Sequence, residues 1–401
     1  MLMINKISVI TLLILWGTIV LLARRDYLKK RDLRVYPPIS FIVPCHNDEK
    51  TVSDTIHSIY DSYDHNKIEL IVVNDCSTDD SVEVINRLKK KYNFKSINNA
   101  CNLGKASAVN LACKNAKNKL LCMVDSDVIV NRKAIEGLVA RFQNDSRVKA
   151  VNCAYNIQNK GWWATMQQME ANMMSLVLLS HNPFSTLYLY GGCLMVDRAA
   201  FLKVGGYSKN MLTEDADLAF KLNSHNFFVQ HSFFPVSVQV EDKFFKWAKQ
   251  RTRWVGGTVQ CYLKHTQVWI RHLPHLVFLA LFSILSIIYV IFLLNSFLFL
   301  NAAWKDYELL RQSATLLFSL KLLGFSYGAL LFQSILSKTY FIFFSVPFIA
   351  LRIQRPRELI KILYSIPFTL IYFPVLSVVS ILSGIKEMVL FPFKTKDRRA
   401  W

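Results

Sequence analysis

Acidic residues are scarce in this chain. Among 401 residues, 28 Asp and Glu stand against 48 Lys and Arg, a formal charge of +20. Such an excess invites a nucleic-acid reading, but no zinc-finger spacing and no RNA-binding aromatic signature accompany it. The basic residues gather instead beside hydrophobic stretches. Arg24, Arg25, Lys29, Lys30, Arg31 and Arg34 follow one such stretch, and Lys394, Lys396, Arg398 and Arg399 follow another. Basic residues flanking membrane spans mark the cytoplasmic side and favour anionic lipid, so lipid rather than nucleic acid is the expected partner. Cysteine is also sparse. No two of the eight form a C-x-x-C pair, which excludes the common zinc and dithiol arrangements and leaves reduced, buried thiols in a cytosolic domain. A phosphate-binding P-loop is missing as well: Gly104-Lys105 would need a glycine five positions before Gly104, where Asn99 stands. Nor does a small-residue cleavage site follow the first apolar run, whose n-region carries only Lys6. Ile7 to Ala23 therefore reads as an uncleaved anchor with its N-terminus outside.

What the chain has in abundance is apolar residue, 52% by count, and it is unevenly spread. Leu276 to Leu300 and Ser313 to Ser337 are long enough to span a bilayer, and Tyr340 to Leu351 is short for it. Ile362 to Gly384 is the last candidate, bent by Pro367 and Pro374. An outer N-terminus and an inner basic tail require an odd number of spans. If every candidate crosses, Arg352, Arg355, Arg357 and Lys361 fall outside, against the positive-inside tendency; if Tyr340 to Ile360 lies in the interface, the topology changes. The pattern predicts an anchor and basic linker over 1–36, a cytosolic domain over 37–242, an amphipathic interfacial helix over 243–273, and a membrane region over 274–401 with three or four spans.

Within the cytosolic part, short apolar runs alternate with helix-length segments. Ile39 to Val43, Ile68 to Val73, a short strand near Ser96, and the run ending at Asp125 read as strands. Thr51 to Ser62, Asp79 to Tyr92 and Lys105 to Ala116 read as helices. That alternation predicts a parallel sheet with right-handed crossovers. Cys45 to Glu49, Asn74 to Ser77 and Asp125-Ser126-Asp127 would then share the carboxyl rim of the sheet, where open α/β sheets bind ligands. Two carboxylates one residue apart can hold a hard divalent cation, although an isolated Asp-x-Asp turn is ordinarily a solvated turn. Gly104-Lys105 could present backbone N–H groups and an ammonium to phosphate, or be a helix start with a solvated lysine.

Further along, Val148 to Tyr155 reads as a strand, and Gly161 to His181 as a long helix whose Trp and Met residues suit a core. Tyr188 to Val196 is strand-like, and Gly191-Gly192 within it suggests close backbone approach by a ligand or another chain. Thr213 can cap a helix with Glu214, Asp215 and Asp217 in its first turn, where the dipole favours acids. Phe227 to Val240 reads as a pair of short strands. Lys243 to Lys264 is basic and amphipathic, suited to a membrane interface, and puts Gln250, Arg253 and Trp254 on one helical face.

Taken in order, Val43 to Glu49, Val73 to Asp79, Asn102 to Ala106, Asp125-Ser126-Asp127, Thr213 to Asp217 and Gln250 to Trp254 resemble the motifs of the processive, membrane-integrated family-2 glycosyltransferases. These include hyaluronan, chitin and cellulose synthases, with the bacterial poly-β-1,6-N-acetylglucosamine synthases nearest. The likeness is strong over about Ser40 to Gly257 and looser beyond. It implies an α/β GT-A (nucleotide-diphospho-sugar transferase) domain inserted between transmembrane helices of a multi-pass plasma-membrane enzyme, its catalytic domain cytoplasmic. It further implies a UDP-sugar donor, most simply UDP-N-acetylglucosamine, and a growing polysaccharide acceptor. Carried onto these positions, Asp75 contacts the uridine, and Asp125 and Asp127 bind Mg²⁺ or Mn²⁺ with the diphosphate, Asp127 the more directly. Asp215 is the general base. Gln250, Arg253 and Trp254 border acceptor and diphosphate, with Trp254 a stacking platform, and Lys105 touches phosphate. Those synthases often carry two spans before the catalytic domain where this chain has one, so a small membrane accessory subunit is a further implied partner.

Overall fold

The computed structural model describes residues 14, 17–29, 31, 33–269, 272 and 371–390. The candidate spans Leu276 to Leu300, Ser313 to Ser337 and Tyr340 to Leu351, the start of the fourth, and the basic C-terminal residues lie outside them.

The first strands are β1 (Ile39–Cys45), β2 (Ile68–Asn74), β3 (Lys95–Asn98) and β4 (Leu120–Val124). Every residue of β1 and β4 is buried, as expected for strands covered on both faces. The alternation of side chains divides β1 between two cores. Ile39, Phe41 and Val43 pack with Val52, Ile56 and Ile59 of α1 (Val52–Ser62), Ile85 and Leu88 of α2 (Ser81–Lys91), and Ile135 and Leu138 of α4 (Arg132–Asn144). On the other face, Ile42 joins Ile71 and Val73 of β2 and Val109 and Ala112 of α3 (Lys105–Asn115). Each such fully buried Ile, Val or Phe contributes about 1.5–3 kcal/mol of transfer free energy. Helix α4 is not among the helices expected from the alternation, and Asn131 caps it by accepting from Ala134 N at 3.0 Å.

Strands β5 (Val148–Ile157), β6 (Cys193–Asp197) and β7 (Phe228–Val238) complete a seven-stranded sheet of order β3-β2-β1-β4-β6-β5-β7. The four strands read as parallel from the sequence are parallel, and the strands after them make the whole sheet mixed. β1 runs parallel to β2 and β4, but β6 runs antiparallel to both β4 and β5. The reversal has a consequence for the site: the start of β6 lies against the carboxyl end of β4. Val124 pairs with Cys193, and Asp125 N donates to Gly192 O at 3.0 Å. The paired glycines thus precede the strand rather than interrupt it. Phe227 to Val240 is likewise one strand, not two. It bulges where Cys153 pairs with Ser232 but Ala154 pairs with Pro235, a residue with no N–H to give the ladder.

The long helix α5 (Trp162–His181) and the short α6 (Arg198–Lys203) flank β6 in sequence. Helix α7 (Glu214–Ser224) and α8 (Phe244–Lys264) carry the last acidic motif and the Gln250–Trp254 motif. Asp217 joins them. Fully buried on α7, its carboxylate accepts from Ser208 Oγ (2.6 Å), Lys264 Nζ (2.9 Å) and His265 Nε2 (2.8 Å) at the end of α8. These partners hold its carboxyl well below the usual range against the opposing effect of burial. The sequence assigned Asp217 to the helix dipole alone. As a charged hub with partly exposed partners, its replacement by Ala is expected to cost about 2 kcal/mol. The measurement is the thermal unfolding midpoint of the purified full chain, and an unchanged midpoint would refute the hub.

The basic residues after the first apolar stretch are not all solvated. Arg31 pairs with Asp26, which also accepts from Arg141 Nη2 (2.7 Å) and Asn182 Nδ2 (2.9 Å). No disulfide forms: Cys45, Cys113, Cys122, Cys153, Cys193 and Cys261 are buried thiols, and Cys101 is exposed. Among the described residues, α9 (Phe373–Leu390) is the one helix long and apolar enough to cross a membrane, with mean hydropathy 1.7. Its Glu387 accepts from Gln260 Nε2 of α8 at 2.9 Å.

Candidate active site

A cleft of about 360 Å³ opens at the carboxyl rim of β1 and β4, beside the start of β6. Lys105, Asp125, Asp127, Asp215, Gln250, Arg253 and Trp254 all line it, although they come from widely separated parts of the chain. Sheet topology explains the gathering. Asp125 and Asp127 follow β4, Lys105 opens α3 after Gly104 at φ 83°, Asp215 lies in the first turn of α7, and the remaining three share a face of α8.

One side of the cleft is a charge cluster. Lys105 Nζ lies 2.6 Å from one oxygen of Asp125 and 2.7 Å from the other, and 3.5 Å from Glu214 Oε1. Burial pushes the Asp125 carboxyl up in spite of Lys105, and its charge combines with desolvation to push Asp127 up to about 6. Asp127 is open to solvent at the mouth of the cleft. Asp215 is pushed up to about 7, first by burial and then by the neighbouring Glu214 charge, with Lys105 and Arg253 opposing. A carboxylate with that pKa is suited to take a proton near neutral pH. The sequence marks Glu214 only as an acid in the first turn of a helix. It is 6% exposed and lines the cleft, and its only further signal is adjacency to Asp215.

The opposite side is aromatic. The Trp254 ring lies 4.2 Å from the Arg251 guanidinium, which also forms a 2.8 Å ion pair with Glu170 of α5 and donates to Gln250 Oε1 at 2.7 Å. Arg251, unremarked within the motif, is thus the buried residue that fixes both Gln250 and Trp254. Arg253 is exposed and donates to Leu212 O at 3.0 Å. Tyr155 and Tyr190 stack with ring centroids 4.8 Å apart, and the Tyr155 hydroxyl accepts from Gly192 N at 3.0 Å.

The glycine pair has a different function from the one the sequence suggested. A Cβ on Gly191 would stand 2.8 Å from Asp215 Oδ2, and one on Gly192 would stand 2.8 Å from the Tyr155 hydroxyl. The close approach is by this chain's own side chains. Thr213 does not cap α7 as expected. Its side chain turns toward Gly257, where an added Cβ would lie 2.6 Å from Thr213 Cγ2.

Asp75 departs from the rest. It follows β2 on the same rim but is fully buried and does not line the cleft. Its carboxylate accepts from Asn99 Nδ2 (2.7 Å), Leu103 N (3.0 Å) and Gly104 N (2.7 Å). Three of the acceptor sites on that carboxylate go to the loop 99–104. Asp75 thereby holds the turn that delivers Lys105.

Residues 40–205 match the family described as Glycosyl transferase family 2. Over those residues the chain is similar to the family 2 glycosyltransferases. It is a glycosyltransferase. The poly-beta-1,6-N-acetyl-D-glucosamine synthase of Staphylococcus epidermidis is 25% identical over 310 residues, 73% of either chain. The synthase of the same name from Staphylococcus aureus is 27% identical over 244 residues, 59% of this chain and 58% of that one. In fold, the glycosyltransferase is similar to a mannosyltransferase from Pyrobaculum calidifontis solved in complex with GDP-Man and Mn²⁺. The TM-score is 0.54 at 18% identity, over 96% of this chain and 99% of the other. The mixed α/β sheet of this glycosyltransferase is a GT-A fold.

Proposed function

We propose that this glycosyltransferase transfers N-acetylglucosamine from its UDP donor to a growing saccharide, with inversion, building a β-linked polymer that is passed across the plasma membrane. The observation that carries this reading is the meeting of Asp127, Asp215, Arg253 and Trp254 in one cleft. The two synthases similar to this chain favour N-acetylglucosamine as the sugar. A cytoplasmic catalytic domain, a multi-pass membrane region, lipid contact and a small accessory subunit belong to the same proposal.

The donor set fits a divalent cation. Asp125 and Asp127 offer hard carboxylate oxygens; desolvation and the Glu214 charge push Asp125 up, desolvation and the Asp125 charge push Asp127 up, and a cation would relieve both. Among the described residues no group of three or more His, Cys, Asp or Glu side chains converges to hold a metal by itself, so diphosphate oxygens and water would complete the shell. Asp127, with Asp125 behind it, would hold Mg²⁺ or Mn²⁺, which supplies positive charge for the departing diphosphate.

The chain's own residues do the remaining chemistry. Trp254 stacks the terminal acceptor sugar, and Gln250 and Arg253 fix its reacting end. Asp215 accepts the proton of the acceptor hydroxyl as that oxygen bonds to the anomeric carbon. The bond from that carbon to the diphosphate breaks, its electron pair leaves with UDP, and Arg253 and Lys105 stabilise the charge. Attack opposite the leaving group turns an α-linked donor into a β-linkage. Asp75 holds the loop before Lys105.

The test supplies labelled UDP-N-acetylglucosamine to membranes containing the full chain. Label in a high-molecular-weight product supports the reading, whereas label confined to short, solvent-extractable glycolipid overturns polymerisation. A pH profile tests the base. With Asp215 at about 7, kcat/KM rises with pH through that value, because the protonated carboxyl cannot accept a proton. The charges facing it are Glu214 on its own helix, Lys105 on α3 and Arg253 on α8. Glu214→Gln removes the repelling charge and is expected to move the acid limb down by about one pH unit. An unmoved limb would separate Glu214 from the base.

A further inference from the structure

We propose that Lys105 is the resident counter-ion of the cleft: it stands at Asp125 where a divalent cation would bind, and passes to the donor's diphosphate when cation and nucleotide sugar arrive. The inference rests on the donor-and-cation reading above and adds a coupling to it, since neither ligand is then accommodated well without the other.

The geometry is specific. The ammonium lies 2.6 and 2.7 Å from the two Asp125 oxygens, so a cation binding there meets its charge directly unless Lys105 moves. A monovalent and a divalent charge on one carboxylate repel strongly, more so where side chains are largely shielded from water; Lys105 is 19% and Asp125 27% exposed. Lys105 also has somewhere to go. Glu214 Oε1 is 3.5 Å from Nζ, and the point where a Gly191 Cβ would stand is 3.5 Å from Nζ and 2.8 Å from Asp215 Oδ2. The ammonium therefore faces several carboxylates across the cleft and can turn from one to another without leaving it.

The charge count supplies the second half of the argument. Asp48, Asp125, Asp127, Glu214 and Asp215 line the cleft against Lys105 and Arg253, so the lining has an excess of negative charge. A diphosphate entering alone meets that excess, and a cation entering alone must break the close Lys105–Asp125 pair and leave Lys105 only the more distant Glu214. When both enter, Asp125 and Asp127 would hold the cation, and Lys105 would gain phosphate oxygens in exchange for the carboxylate it gives up. By linkage, each ligand must then strengthen the other's binding by the same factor.

The test measures Mn²⁺ affinity by electron paramagnetic resonance on the purified full chain, with and without UDP. Wild type is expected to bind Mn²⁺ about tenfold more tightly with UDP present. Lys105→Met, similar in length but uncharged, is expected to bind Mn²⁺ about tenfold more tightly than wild type without UDP, and to lose most of the UDP effect. Lys105→Arg keeps the charge and is expected to resemble wild type without UDP. Equal or weaker Mn²⁺ binding by Lys105→Met overturns the proposal. So does a wild type whose Mn²⁺ affinity is indifferent to UDP, a result that needs no variant. A wild type that binds UDP with Mn²⁺ while Lys105→Met behaves like it sinks the counter-ion alone; a wild type that binds no UDP at all sinks the donor reading beneath it.

Discussion

An Asp215→Asn enzyme binds UDP as wild type does but turns over about a thousand- to ten-thousandfold more slowly. The substitution is nearly isosteric. Asp215 Oδ1 accepts from Ala216 N at 2.8 Å, and an amide oxygen can keep that bond, so the side chain stays in place beside Gly191. What it loses is the ability to accept a proton. The amide also removes one negative charge from an acid-rich cleft, so binding of an anionic nucleotide is not weakened. Initial rates of UDP release and equilibrium UDP binding, measured on the same preparation, separate the two effects. Wild-type turnover in the variant would show that another group takes the proton.

The second large effect is expected away from the reacting atoms. Gly257→Ala places a methyl group 2.6 Å from Thr213 Cγ2 and 2.8 Å from Thr213 Cβ. These atoms lie next to the backbone and cannot swing aside as a long side chain can. Either α8 withdraws, moving Arg253 and Trp254, or the turn before α7 shifts, moving Glu214 and Asp215. A misplacement of about 1 Å between such groups costs on the order of 10²-fold in rate. Because the contact belongs mainly to the acceptor and base side, kcat falls more than UDP affinity with Mn²⁺ does. Gly256 is a useful contrast. A methyl group there would stand 3.3 Å from Leu212 Cδ1, the far end of a flexible side chain, and Gly256→Ala is expected to cost much less. Equal rates for wild type and Gly257→Ala would show that the packing of α8 on Thr213 does not set the geometry of the cleft.

Both predictions depend on contacts of different visibility in the sequence. Asp215 stands in an acidic run beside a helix start, and its motif is recognisable. Gly257 lies past the end of the Gln250–Trp254 motif, and its constraint exists only because α7 and α8 are pressed together. Glu214 and Arg251 are intermediate cases. Each sits inside a motif that was read, but in the shadow of a neighbour, and burial rather than residue type reveals its part. Asp75 shows a second part that its motif does not reveal: three donors of the loop 99–104 bind its carboxylate.

The sequence by itself determined the strands β1, β2 and β4, because a strand buried on both faces must be a short, nearly unbroken apolar run. It also determined that Asp125 and Asp127 follow such a strand and that Gln250, Arg253 and Trp254 share a helical face, since both follow from local periodicity. Only the tertiary structure decided the direction of β6, which brings Gly191 and Gly192 against Asp215 and Tyr155. It alone also decided the pairing of Lys105 with Asp125. The reason is that local periodicity reports which face of an element is buried, whereas the direction of a strand and the partner of a charge depend on segments far away in the chain.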